Sequence, residues 1–332
     1  MAISKKAAAA RESARQKTGQ FGHQTHAEAD VDLAPLPQGW FERQALAQDE
    51  ATPGATLASL AYDASTATRQ EVAANKATPP EALETLAVDP DSAVRWCVAR
   101  NHATPAEFLS KLASDEDFQV REYVARNPAT PAETLAELGK DTSEWVRADL
   151  AWNPNTPTAT FSALATDKSF QVRADLAQSD VVPAAALDRL WADTKGRYAQ
   201  ESFLEDEPRK LRDSLAVNPN TSAGTLREIS ETEYPPTAFL AKNANFRGEA
   251  FTRLAERVAA SPNTGYARDL VKSSQATPEA LERLSRAKDT GVRRLVAGHP
   301  RTPTATLKRL AQSKNPDLAR AAQRSLWGRH HD

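Results

Sequence analysis

Thr-Pro pairs recur along this chain at a fixed step, and a fixed step of that length admits an array of similar structural units rather than one enclosed core. Thr52, Thr78, Thr104, Thr130 and Thr156 each precede a proline and lie 26 residues apart. Val182-Pro183 keeps the step, and Thr277-Pro278 and Thr302-Pro303 resume it 25 residues apart. The clearest unit is ATPAEFLSKLASDEDFQVREYVARNP, from Ala103 to Pro128, and its neighbours on both sides match it at most informative positions. Within it, Thr104 is expected to cap a helix with Pro105 in its first turn, where a missing N–H costs nothing. Leu109 and Leu112 share a face, the stretch around Asp115 breaks the helix, and Val120 and Val124 open a second one with an i, i+4 apolar pair. Asn127-Pro128 ends it, because the residue before proline is pushed out of the helical region. Each helix is too short to be stable alone and carries a single apolar stripe, so units must stack on their neighbours.

Ten units are expected, of unequal fidelity. Five regular ones run over 51–180; an irregular stretch over 181–275 contains a polar insert around Gly196 to Arg209; two regular units close the chain over 276–332. Arg43, Leu46 and Ala47 align with Arg173, Leu176 and Ala177, so about half a unit begins near Gly39 and caps the stack. Residues 1–38 carry no periodicity and are expected to form a disordered leader. The fold class is therefore all-α, a solenoid of 25–26-residue two-helix units over 39–332.

The string T-P-x-x-x-L-x-x-L-A-x-D-x-x-x-x-x-R-x-x-V-A-x-N-P, carried most clearly by Ala77 to Ala103 and Ala103 to Asn153, resembles the leucine-rich repeat variant family, a bacterial helical solenoid similar in spirit to HEAT repeats. The resemblance implies α and 3₁₀ helices alternating in a right-handed superhelix. It implies no common activity, since function on a solenoid sits in its surface. One member of that family holds an iron–sulfur centre in a cysteine cluster ahead of its repeats. This chain has one cysteine, Cys97, so no cluster, disulfide framework or other cofactor is expected. The longest apolar run, Val181 to Leu187, is seven residues with a proline inside, too short to span a bilayer. A reducing cytosol is the expected compartment.

Two sets of residues stand out. In each regular unit an Asp precedes an Arg by six residues: Asp63/Arg69, Asp89/Arg95, Asp115/Arg121, Asp141/Arg147 and Asp167/Arg173. Five arginines in register could follow a phosphate backbone, but an Asp at a fixed offset in every unit suggests a structural ladder that keeps units in register. On a wheel of 100° per residue the second helices turn Trp96, Cys97 and Arg100, then Glu122, Tyr123 and Arg126, then Trp145, Asp149 and Trp152 away from the valine stripe. Aromatic and arginine side chains in consecutive units have the composition of protein-binding hot spots. The competing reading is that one or two of these aromatics pack between units.

Catalytic constellations are scarce, and a non-catalytic role is expected. His102 and His299 occupy helix-ending positions with no motif around them, and Cys97 has no partner that would make it a nucleophile. His23 and His26, near Glu28, Asp30 and Asp32, could hold a divalent metal, but a polar leader is the reading adopted and no metal site is expected. The formal charge of −2 conceals an uneven distribution: 11 Lys and Arg against 19 Asp and Glu over 51–180, and 12 against 5 over 276–332. The sequence thus points to a protein-binding scaffold with its face on units two to four and an unidentified protein partner. Its alternative is a nucleic-acid-binding protein, or a HEAT-like DNA repair enzyme, working through the basic C-terminal units.

Overall fold

The computed structural model describes residues 36–197 and 206–329. The leader, with His23 and His26, lies outside the described residues. Pro37 onward forms one unit by its internal packing. Among the described residues there are 21 α-helices, one short 3₁₀ turn and no strand.

A capping helix, Trp40–Gln48, is followed by helix pairs. In the regular units the first helix has seven residues, as in Ala106–Leu112, and the second has nine, as in Phe118–Arg126. The alternation of α with 3₁₀ helices implied by the family resemblance is not what forms. Both members of a pair are α-helical, closed by bonds such as Leu109 N–H to the Pro105 carbonyl and Ala113 N–H to the Leu109 carbonyl. The 3₁₀ turn, Leu150–Trp152, finishes the second helix of unit four.

The Thr-Pro pair works differently from the expectation. In units one and three to five the helix begins after the proline, which itself occupies the cap position, so Thr104 stands one residue too early to cap it. Its hydroxyl instead donates back to the Val98 carbonyl in the last turn of the preceding helix at 2.6 Å. Thr78 and Thr130 do the same to Val72 and Val124. A carbonyl of a helix end has no partner within its own helix, and the threonine supplies one where the chain turns. Thr277 keeps the expected role and accepts from the Ala280 N–H. The second helices start on real side-chain caps: Asp91, Asp117 and Asp289 accept from backbone N–H groups of the first turn.

The apolar stripes close between the two rows of helices. Leu83, Leu86, Leu109, Leu112, Leu135 and Leu138 of the first helices meet Val94, Val98, Val120, Val124, Val146 and Leu150 of the second, all fully or almost fully buried. Each such side chain contributes about 1.5–3 kcal/mol by leaving water. In the regular units the second helices pack closely along the stack, and the first helices less so. What the second helices present beside that row therefore determines the surface.

Units six to eight depart from the pattern. The first helix of unit six runs from Ala184 to Arg197 and its second from Asp206 to Val217. The second helix of unit seven shrinks to Thr237–Leu240. Gly248 enters the Glu249–Ala259 helix at φ 66°, the left-handed region that glycine alone adopts without strain. Units nine and ten return to short pairs, ending in Pro316–Gly328.

Candidate functional site

Two polar ladders hold the second helices in place, and the surface residues are framed by them. Arg95 donates through Nε and Nη2 to both carboxylate oxygens of Asp115, at 2.7 and 2.9 Å. Arg69 to Asp89, Arg121 to Asp141 and Arg147 to Asp167 repeat that fork, and Arg43 of the capping helix reaches Asp63. The partner is the Asp of the following unit, 20 residues on. The Asp six residues upstream offers its backbone carbonyl instead, as Asp115 does to Arg121 at 2.7 Å. The carboxylate of that Asp is already engaged by the preceding unit's arginine and by the N–H two residues on. Arg173, the last of the series, donates to the Asp167 and Lys168 carbonyls. Burial pushes Asp115, Asp141 and Asp167 up, but the guanidinium, the backbone N–H and nearby arginine charge together outweigh it and hold each carboxyl below its ordinary range.

The second ladder escaped sequence reading. Buried Asn101 donates through its amide nitrogen to the Ala73 and Asn75 carbonyls at 2.8 and 2.9 Å, and its own oxygen accepts from the Ala103 N–H. Asn75, Asn127, Asn153, Asn218 and Asn243 make the same two donations to the unit before them. Their regular spacing was the available signal, masked by reading Asn-Pro as a helix stop alone.

Against this frame the expected face divides. Cys97 is buried rather than exposed, as are Ala148 and Asp149. The wheel placed them away from the valine stripe, but the second helix of the adjoining unit covers that flank. Burial raises the Cys97 thiol to about 11, so it is no ready nucleophile. Trp96 is half-buried and stacks on Tyr123 of the next unit, ring centroids 5.3 Å apart and planes 22° apart. Arg126 lies over the Tyr123 ring, 5.9 Å from its centroid, and pairs with Glu122 at 3.0 Å and with Asp149 at 2.8 Å. Trp152 is 47% exposed, and Asp175 of the following unit accepts from Gln171. Trp145 is 54% exposed. Arg100 is exposed and, among the described residues, makes no ion pair or hydrogen bond.

Trp96, Tyr123, Arg126 and Asp149 thus form a continuous chain of contacts from unit two to unit four. Its buried member, Asp149, is unusual. Desolvation outweighs Arg126 and raises its carboxyl to about 7, with Glu122 and Asp175 adding like charge. Its Oδ2 finds no hydrogen-bond donor among the described residues. Beside this chain a cleft of about 420 Å³ is lined by Arg100, His102, Tyr123, Arg126 and Asn127. Farther along, a cleft of about 520 Å³ is walled by Phe170, Gln178, Arg209, Lys210, Val217 and Phe239 among others.

Several arginines of the basic C-terminal units are engaged internally, while Arg294 and Arg324 stand exposed. Arg286 and Arg309 both bind Glu282, Arg283 binds Glu256, and Arg301 and Arg329 donate to the Ser274 and Thr302 carbonyls. No helix among the described residues is long and apolar enough to cross a membrane.

Residues 66–91 and 118–142 match the family model described as leucine rich repeat variant. Among solved structures, one described as a leucine-rich repeat variant with a novel repetitive protein structural motif is 21% identical, over 80% of this chain and 88% of that one, with a TM-score of 0.45. An engineered protein is 18% identical over 86% of this chain and 93% of that one, with a TM-score of 0.33. No curated protein matches the sequence. The two matched segments fall on the units whose helices and ladders repeat most strictly, and the chain is a solenoid of two-helix units that is similar to leucine rich repeat variant repeats in those segments.

Proposed function

We propose that this solenoid is a non-catalytic scaffold that binds a protein partner through units two to four, with Trp96, Arg100, Glu122, Tyr123, Arg126, Trp145 and Trp152 on the recognition face. The observation that carries the reading is a network fixed from Trp96 through Tyr123 and Arg126 to Asp149, with Trp152 half-exposed and Arg100 exposed and, among the described residues, without an ion pair or hydrogen bond. Tryptophan and arginine are the side chains that concentrate binding energy, and a neighbourhood already held by stacking and ion pairs loses little entropy on association. Trp96 and Tyr123 serve chiefly to support that face, since they are packed on each other between units. The internal use of several C-terminal arginines supports protein over nucleic acid as the partner.

Affinity capture with the full chain and with a Trp152→Ala/Arg100→Ala variant tests this, because neither side chain is part of the buried stripe. The expected result is a partner retained by the parent chain and by a Trp40→Ala control, and lost by the double variant, at unchanged helical circular dichroism. Submicromolar binding of duplex DNA at physiological salt would favour the alternative instead.

A further inference from the structure

We propose that the cleft between units two and three binds one carboxylate, an Asp or Glu side chain of the protein partner, with Arg100 as its principal cation. The proposal rests on the protein-binding reading and specifies what the partner presents. Every functional group on the wall suits an oxyanion: the Arg100 and Arg126 guanidinia, the Tyr123 hydroxyl and the His102 imidazole surround a space of about 420 Å³. Arg100 and Arg126 occupy the same register in consecutive units, five residues after Arg95 and Arg121 of the ladder. They nevertheless differ. Arg126 is committed, Nη2 to Glu122 and Nε to Asp149, while Arg100 is exposed and, among the described residues, has no acidic partner. An arginine fork facing open space with a second arginine fixed behind it is a receptor for a planar, two-oxygen anion.

Charge decides between a carboxylate and a doubly charged phosphate. The two guanidinia are opposed by Glu122 and by the buried Asp149, whose Oδ2 has no donor among the described residues and whose carboxyl is displaced toward neutrality. The surplus positive charge is well short of two. It matches a monoanion, and a phosphate monoester would bring uncompensated negative charge against Glu122. Tyr123 on the wall is backed by the Trp96 ring stacked against it, so Trp96 reports on the cleft from one residue behind.

The test is a titration of the full chain, followed by NMR of the Arg100 Nε–H and Trp96 indole N–H, with acetyl-Leu-Glu-Leu-amide and with its Gln and phosphoserine counterparts. The expected result is a saturable shift of both signals with the Glu peptide. Binding should weaken about tenfold with the Gln peptide and about tenfold in Arg100→Gln, but not in Arg253→Gln, a remote exposed arginine. No saturable shift with the Glu peptide, equal binding of the Gln peptide, or indifference to Arg100→Gln would overturn the proposal. Phosphoserine binding about tenfold tighter than Glu would overturn the monoanion assignment. If the cleft fails these tests while Trp152→Ala alone still abolishes capture of the partner, the carboxylate site falls and the scaffold reading stands; loss of neither would remove both.

Discussion

Units one to five and units six to eight differ in how their polar ladders respond to irregular sequence. In the first region both ladders run at constant spacing, except that Ser179 holds the asparagine position of unit five. In the second the arginine ladder lapses: Arg212 forks onto its own neighbour Asp213 and donates to the Tyr234 carbonyl. The asparagine ladder continues through units six and seven, and in unit eight Ser273 donates to the Ala241 carbonyl in its place. Asn218 reaches the Ala177 and Ser179 carbonyls 41 and 39 residues back, where Asn127 reaches 28 and 26. Thr221 likewise still donates to the Leu215 carbonyl, six residues back. The described part of the extra length goes into the two helices of unit six, which have 14 and 12 residues. The asparagine therefore defines the stack, and the arginine tightens it wherever the inter-helix turn has its regular length.

The largest expected effect tests that ranking. Asn127→Ala should strand two buried carbonyls and one N–H and cost about 3 kcal/mol or more, and Asn218→Ala should cost as much despite its irregular setting. A small cost at Asn218, read by urea unfolding and local hydrogen exchange, would break the comparison. Arg121→Ala should cost about 1–3 kcal/mol, and the loss should couple to Asp141 rather than to Asp115 in a double-mutant cycle. Coupling to Asp115 would refute the direction of the ladder.

Acidity should separate the ladder from the face. Asp63, Asp115, Asp141 and Asp167 have depressed carboxyl pKa values, so their stabilisation is present above about pH 4 and lost as pH falls through the folded values. Asp149 is raised to about 7, so the folded chain holds a proton that the unfolded chain releases near the ordinary carboxyl value of 3.8. Stability therefore falls as pH climbs between those limits, by on the order of 1–2 kcal/mol after allowance for partial solvation, and levels off above them. Melting across pH 4–8 should show the decline in the parent chain and not in Asp149→Asn. Smallest of all, the Arg268–Asp289 pair, at 3.5 Å with both side chains well exposed, should couple by under about 0.5 kcal/mol, well below the buried Arg121–Asp141 fork.

Unit length, helix pairing and the valine and leucine stripes were legible because they repeat and because short amphipathic helices have few ways to bury a stripe. The arginine partner was not. In a strict 26-residue repeat an Asp six residues before each Arg is also an Asp 20 residues after the preceding one, so periodicity cannot tell Asp115 from Asp141 as the mate of Arg121. Thr104 was misplaced by one residue because threonine before proline fits a helix start as well as a helix end. Cys97 and Asp149 were misread because a wheel drawn for one helix omits the neighbour stacked beside it. The candidate face was legible only as composition. That Arg126 is held while Arg100 is free depends on Asp149, whose environment no single unit contains.

The fork from Arg of one unit to Asp of the next makes the array directional, in the manner of a chain of identical links each with a hook and an eye. A unit copied and reinserted beside its original would carry its own Asp toward the unit before it, its own Arg toward the unit after it, and its own Asn for the carbonyls behind. Every junction would close without change elsewhere. Lengthening by whole 26-residue duplications is thus written into the bonding pattern, whereas gain of part of a unit must be absorbed within that unit, as in unit six, where both helices lengthen.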